Sequence, residues 1–320
     1  MPPKPPTTYA DEQGRSLVAR LALGDTRDHG PLAFRLPIRT VMPVRPPGPP
    51  PRELSDMLCA LVDSIGGFGR AVRPGDTVVL KPNYNSGDPP PNCTDVQLLE
   101  ALIGLLKDYG ARRVIVGESS RHPPTSTRYE MRRAGVLAAC KRAGAELAIF
   151  PEGEWVPVRI DGRYFRWVEI ARPLLECDRI VYACCLKTHW LSKFSISLKH
   201  SVGCVRPRHR ARLHFGGHFE ERVAELALPI TPSLVIVDGR LCYTRGGPCY
   251  GVTRRANVLL AGSDRVALDV QGMREVQRIP GNALSRDPWS YRQLRHAVGV
   301  GLGARCDDDV ALIEAGRRAL

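Results

Sequence analysis

The sequence predicts an α/β protein of two lobes, each built on a mainly parallel sheet flanked by helices. Three observations carry this expectation. From Thr77 to Phe150, short apolar runs alternate with stretches of helical spacing in the order βαβαβ, which makes neighbouring strands parallel. A hairpin pattern interrupts the series near residues 155–168. A second run of strands and helices then continues to the C-terminus.

Residues 1–51 form a proline-rich segment with clusters at Pro2 to Pro6 and Pro46 to Pro51; Met1 to Gln13 reads as disordered and Leu32 to Val44 as an edge strand. The first lobe, residues 52–152, opens with Leu54, Met57, Leu58, Leu61, Val62 and Ile65 at helical spacing, closed by Gly66-Gly67. Arg73-Pro74-Gly75-Asp76 is a turn into the strand Thr77 to Leu80. A helix from Asp95 to Tyr109, a strand Arg113 to Val116, a helix Arg128 to Arg142 and a strand Glu146 to Phe150 follow. Val156 to Ile160 and Tyr164 to Val168 predict a hairpin with a type I′ turn at Asp161-Gly162. The second lobe, residues 153–320, continues with a strand Arg179 to Cys185, a polar segment to Phe219, and a helix Glu220 to Leu228. Strands Leu234 to Val237 and Ala256 to Leu260, and helices Asp264 to Arg278 and Trp289 to Val298, complete it.

With 43% hydrophobic residues in 320, the chain has ample material for a core, and no apolar run approaches the ~18 residues of a membrane span. The N-terminus has no apolar signal region, so a cytoplasmic protein without membrane contact is expected. Ten cysteines include no C-x-x-C pair, so neither a zinc ribbon nor an iron–sulfur cluster is expected, and adjacent Cys184 and Cys185 in an apolar strand read as buried thiols. The formal charge is +13, with 39 arginines but only seven lysines, which favours anionic partners. At 6% aromatics the chain has few of the stacking residues that single-stranded nucleic acid requires. No G-x-S-x-G, H-E-x-x-H or G-x-x-x-x-G-K motif occurs, which argues against serine hydrolases, zincins and P-loop enzymes.

The densest polar feature is Leu186-Lys187-Thr188-His189 after an apolar strand, followed by Lys193, Ser195, Ser197, Lys199 and His200. Such material is poor for a core and good for a site. In one reading Lys187, Lys199, Arg206 and Arg208 clamp an anionic substrate while a histidine exchanges a proton. In the other His189 and His200 ligate a transition metal, with Asp238 completing or orienting the set. The first is preferred because cations outnumber carboxylates there. His214 and His218 would share a helical face, but Gly216-Gly217 argues against a helix. Asp238-Gly239, with Arg245-Gly246-Gly247-Pro248 downstream, places a carboxylate at a strand end and a loop, including Gly246 and Gly247, able to approach a ligand. Lys81-Pro82-Asn83 and Glu118-Ser119-Ser120 stand at the ends of two further strands, where α/β folds place their sites. Thr94-Asp95 and Asp264 read as helix starts, and Asp269 lies on the helix that Asp264 opens.

Taken together, these motifs resemble the DUF362 family, a domain of unknown function. From about residue 52 onward the resemblance rests on Pro74-Gly75-Asp76, Leu80-Lys81-Pro82-Asn83, Thr94-Asp95, Gly117-Glu118-Ser119 and Leu186-Lys187-Thr188-His189. It continues in Ser197-Leu198-Lys199-His200, Gly203, Asp238-Gly239, Gly246-Gly247-Pro248, Gly251, Ser263-Asp264, Ala267-Leu268-Asp269 and Gly299-Val300-Gly301-Leu302-Gly303. The resemblance implies that the shared polar residues are Lys81, Asn83, Lys187, Thr188, His189, Lys199, Asp238 and Asp269. Family members often append a ferredoxin segment; without a C-x-x-C-x-x-C run, this chain reads as a stand-alone member. The family pattern has Asn where this chain has His200, which implies an altered ligand set.

The expectation is therefore an enzyme that binds a small carboxylate or phosphate in an inter-lobe crevice, with reaction class unassigned. His189, His200, Lys187 and Asp238 would be catalytic; Lys81, Asn83, Lys199, Arg206, Arg208, Gly246 and Gly247 would bind substrate. The alternative is a non-catalytic accessory protein docking an external redox partner, or a nucleic-acid-binding protein drawn by charge.

Overall fold

The computed structural model describes residues 8–24, 51–120 and 125–316. The expected edge strand at Leu32 to Val44 lies outside these residues, as does Met1 to Thr7 of the segment expected to be disordered. The remainder of that segment is ordered: Tyr9 is buried, its N–H donates to Ser263 Oγ at 3.2 Å and its hydroxyl to Gly67 O at 3.0 Å. One aromatic ring with a place in the core overrides the polar composition around it.

The chain runs β1 Ser16–Ala22, α1 Pro51–Asp63, β2 Thr77–Lys81, α2 Val96–Asp108, β3 Arg113–Glu118, α3 Thr127–Arg133, α4 Val136–Ala143 and β4 Glu146–Ile149. It continues with β5 Trp155–Arg159, β6 Trp167–Ala171, α5 Pro173–Glu176, β7 Arg179–His189, β8 Lys193–Ser195, α6 Ser197–His200, α7 Pro207–Ala211 and α8 Phe219–Leu226. It ends with β9 Leu234–Gly246, β10 Gly251–Arg254, β11 Val258–Gly262, α9 Arg265–Gln277, α10 Arg292–Gly299 and β12 Val310–Glu314.

The two expected halves meet in one ten-stranded mixed sheet of order β12-β1-β11-β9-β7-β2-β3-β4, with β10 on β9 and β8 on β7. The run β9-β7-β2-β3-β4 is parallel, whereas β11 is antiparallel to both β9 and β1. Neither β1 nor β12 is among the predicted strands, although Ser16–Ala22 alternates buried and partly exposed positions as a strand does. The period-two alternation of strand side chains builds two cores. Val78, Leu80, Val181, Ala183, Leu234 and Ile236 face one side with Leu54, Leu58 and Leu61 of α1 and Leu98, Leu102 and Leu106 of α2. Val79, Tyr182, Cys184, Val235 and Val237 face the other with Val223 of α8, Val266, Val270 and Met273 of α9, and Leu294 of α10. Strands buried on both faces read as continuous apolar runs, which is why β2, β7, β9 and β11 are legible in the sequence.

Three predicted elements differ in detail. The helix expected over 128–142 breaks into α3 and α4 because Gly135 takes a left-handed conformation, φ 83°. The hairpin β5–β6 exists, but Arg159 pairs with Trp167, so residues 160–166 make a loop in place of the type I′ turn. The loop is organised from a distance: the buried Glu225 carboxylate accepts the N–H groups of Arg163 at 2.7 Å, Tyr164 at 2.9 Å and Phe165 at 3.0 Å. Lastly, the polar segment before Phe219 is structured as β8, α6 and α7.

Asp264 ties three distant parts together. It caps α9 through Val266 N at 2.8 Å and Ala267 N at 3.0 Å, and accepts Ser16 Oγ of β1 at 2.6 Å and Ala304 N at 2.7 Å. Asp264→Ala removes the cap and leaves buried donors unmet, so it should lower stability by about 3 kcal/mol, read as a lower urea midpoint at unchanged m. Asp264→Asn, which keeps an acceptor oxygen, should lose less.

Candidate functional site

One crossover leaves β2 through α2 to β3 on one side, while the chain returns to β7 on the other side of β2 and proceeds through α8 to β9. Connections that depart in opposite directions cover opposite faces of the sheet, and the carboxyl ends of the two central strands are left open. That gap is the switch point of a doubly wound sheet, where ligands bind. A cavity of about 70 Å³ lies there. A water needs roughly 10–15 Å³ by such a measure, so the cavity has room for a small oxyanion.

Its walls carry Lys81 from β2, Glu118 from β3, Cys185 and Lys187 from β7, Lys199 and His200 from α6, and Arg210 from α7, with Asn83, Ser119 and Pro248 around them. Lys81 is buried and paired: Nζ donates to Glu118 Oε1 at 2.8 Å and to Pro82 O at 3.0 Å. Glu118 also accepts Ser119 N at 2.7 Å on Oε1 and Tyr84 N at 2.8 Å on Oε2, three bonds in all. Gly203 gives this pair its room, since a Cβ there would lie 2.7 Å from Lys81 Nζ. Lys187 makes one bond, to Asn92 O at 2.5 Å, leaving two ammonium protons for a ligand. Asn83 donates to the same carbonyl at 3.2 Å.

Lys199 differs from both. Among the described residues it has no carboxylate or hydrogen-bond acceptor, only the Phe219 ring 5.9 Å from Nζ. Burial, with Lys187 and Arg210 nearby, brings its ammonium down to about 8. Arg210 spans the cavity to β3, donating to Ser119 O at 2.9 Å, Ser120 O at 3.3 Å and Ser119 Oγ at 2.5 Å. Five guanidinium donors exceed these three bonds. Burial lowers Arg210 to about 10, where it stays charged at neutral pH.

His200 Nε2 lies 2.8 Å from Lys81 O, which can only accept, so the ring carries its proton on Nε2 and keeps a lone pair on Nδ1. Burial and then the Lys81 charge hold it neutral. Its helix is fixed by Asp269, which accepts Ser197 N at 2.7 Å, Ser197 Oγ at 2.5 Å and Leu198 N at 3.2 Å. Burial raises Asp269 to about 7.

Other predicted residues stand elsewhere. His189 Nδ1 accepts Leu191 N at 3.0 Å and Ser192 N at 3.1 Å, closing the β7–β8 turn, and burial followed by the Lys199 charge lowers it to about 2. Thr188 Oγ1 is buried without a hydrogen-bond partner. Asp238 is bound by Arg240 at 2.7 Å, and Arg240 also reaches Asp95 at 2.8 Å, forming a buried triad outside the cavity walls. Arg206 and Arg208 both bind Glu169, at 2.7 and 2.5 Å. Gly246 and Gly247 let the β9–β10 loop press against β7: a Cβ on Gly247 would overlap Thr188 O, and Pro248 thereby reaches the cavity. His214 and His218 flank two left-handed glycines, Gly216 and Gly217, and share no helical face. Among the described residues no three His, Cys, Asp or Glu side chains form a group able to hold a metal ion, and His189, His200 and Asp238 do not converge. Sequence reasoning passed over Arg210 and Cys185. Nothing in the spacing separates Arg210 from Arg206 and Arg208; only the short α7 turns it inward.

Fold and cavity define an α/β protein with a cleft lined by cationic side chains at its switch point. The family model described as a domain of unknown function, DUF362, matches residues 78–274, and the chain belongs to that family. The Gly299 to Gly303 motif lies beyond the matched stretch. A thylakoid-associated protein of Synechocystis is 27% identical over 219 residues, covering 66% of each chain. A crystal structure from Thermotoga maritima is 14% identical with TM-score 0.41, over 79% of this chain and 60% of that one. The chain thus spans about two thirds or less of either relative's length. Among the described residues no helix is long and apolar enough to cross a membrane.

Removing one partner of the Lys81–Glu118 pair strands a buried charge. Lys81→Met or Glu118→Gln alone should cost about 3–5 kcal/mol, and the double variant less than the sum, a coupling that urea unfolding of the four proteins measures.

Proposed function

We propose that the protein binds a small carboxylate or phosphate in the β2–β7 cleft and acts on it by proton transfer. The observation that supports this best is the charge set of the walls: Lys81, Lys187, Lys199 and Arg210 face one carboxylate, Glu118, and Lys81 already spends that carboxylate. Three cations are left to be compensated by a ligand. An anion placed among them would be held by spare N–H donors of Lys187 and Arg210 and would satisfy the ammonium of Lys199. It would also raise the basicity of His200, whose Nδ1 lone pair is the acceptor for a proton released from the ligand. Lys199, close to neutrality in its midpoint, is the second acid–base group.

The transition-metal reading draws less support, because among the described residues His189, His200 and Asp238 form no common group and the Asp238 carboxylate is held by Arg240. Of the alternatives, nucleic-acid binding places the basic residues on an accessible stripe, whereas these cations line a cleft with room for a small ion. An external redox partner and a cytoplasmic location belong to the same proposal, as the setting in which the cleft would work.

Titration calorimetry with phosphate and with lactate tests the reading. Lys199→Met and Arg210→Met should each weaken binding about 10- to 100-fold, as expected for a lost charge-assisted bond, while Arg206→Met and Arg208→Met should leave it unchanged. Wild-type affinity should fall as pH rises through about 8, where Lys199 loses its charge, and Lys199→Met should abolish that fall. Equal losses in all four variants would mean that general surface charge, not the cleft, does the binding.

A further inference from the structure

Resting on the cleft as an anion site, we propose that Lys199 is a Schiff-base lysine and that the ligand is a small 2-oxo carboxylate. The three lysines and arginine of the cleft are not equivalent. Lys81 has a carboxylate and a carbonyl, Lys187 a carbonyl, and Arg210 two carbonyls and a hydroxyl. Lys199 alone among them has no acceptor among the described residues, while an aromatic ring, from Phe219, lies beside its Nζ. An ammonium wants three acceptors, and a half-buried one with none from the protein among the described residues is held at a cost that deprotonation relieves. Cations close by push the same way, and a desolvated lysine next to another cationic group is the arrangement that yields an amine nucleophile at neutral pH. The midpoint near 8 agrees with this geometry. The groups facing Lys199 are Lys187, Arg210, His189 and His214, which disfavour its charge or share its field, and Cys249, which favours it.

The remaining cations suit the rest of such a ligand. Arg210 and Lys187, held on α7 and β7 by bonds that leave donors free, would fix the carboxylate and thereby aim the neighbouring carbonyl at the amine. The neutral Nζ adds to the carbonyl carbon, the π pair passes to oxygen, and the two amine protons leave with that oxygen as water. Amine and ketone become imine and water, with no change of oxidation state. Protonated on nitrogen by solvent, the imine becomes the electron sink that lets a proton leave the adjacent carbon, the electron pair passing to the iminium nitrogen as an enamine, and His200 Nδ1 is the acceptor in the cleft.

Borohydride trapping with pyruvate decides the matter. Full-length protein is incubated with pyruvate, reduced, digested and mapped by mass spectrometry, with lactate binding followed calorimetrically in parallel. A single reduced adduct on Lys199 is expected, absent in Lys199→Arg, retained in Lys193→Arg, and forming faster as pH rises through about 8. Peptide mapping of the wild type locates the adduct even if a variant folds poorly. Adducts scattered over several lysines, or none while lactate still binds, would overturn the Schiff-base role and leave the anion site standing. Loss of both adduct and lactate binding would bring down the two together.

Discussion

The site depends on the reversal of direction between β2 and β7. The crossovers leave the middle of the sheet in opposite senses, and with the right-handed connections that parallel strands strongly favour, α2 covers one face and α8 the other. Neither can close over the carboxyl ends of the central strands. Backbone handedness thus makes a gap before any side chain is chosen, and Lys81, Cys185 and Lys187 line it because they stand at the ends of β2 and along the extension of β7.

A gap lined with lysines would repel itself open without an internal counter-charge. Glu118 is that charge, and it is spent on Lys81: the two form a buried pair whose carboxylate also accepts the backbone N–H groups of Tyr84 and Ser119. The pair acts as a neutral floor, with Gly203 shaped to admit it. The charges of Lys187, Lys199 and Arg210 have no such carboxylate among the described residues, which is the physical basis for proposing an anion there. Further from the cleft, Glu169, Glu225 and the Asp238–Arg240–Asp95 triad organise loops and strands by the same means. In a chain with so many arginines, buried carboxylates are the scarce component around which polar structure is arranged.

Much of the fold was legible. Continuous apolar runs marked β2, β3, β7, β9 and β11, and Asp95 and Asp264 announced their helices because capping is a local interaction of a side chain with the next three residues. Lys81, Asn83, Lys187, Lys199 and His200, singled out as polar residues after or near apolar strands, all line the cavity. Arg206 and Arg208 were indistinguishable from Arg210, because which way a five-residue helix faces is set by its packing against Trp167 and Glu169, not by its own sequence. The histidine at 189 carried the same pattern as the one at 200, yet its Nδ1 closes a turn.

What the amino-acid sequence determined by itself was the identity of the elements, their parallel pairing in the first half, and the residues delivered to strand ends, for these follow from periodicity and from short-range chemistry. Tertiary structure decided that the strands form one sheet, that β1 and β12 complete its edge, and which cations meet. Those outcomes depend on contacts between residues far apart in the chain, such as Lys81 with Glu118, Asp269 with Ser197 and Asp264 with Ser16. No local pattern encodes them, because each partner's role exists only once the other has been brought within reach.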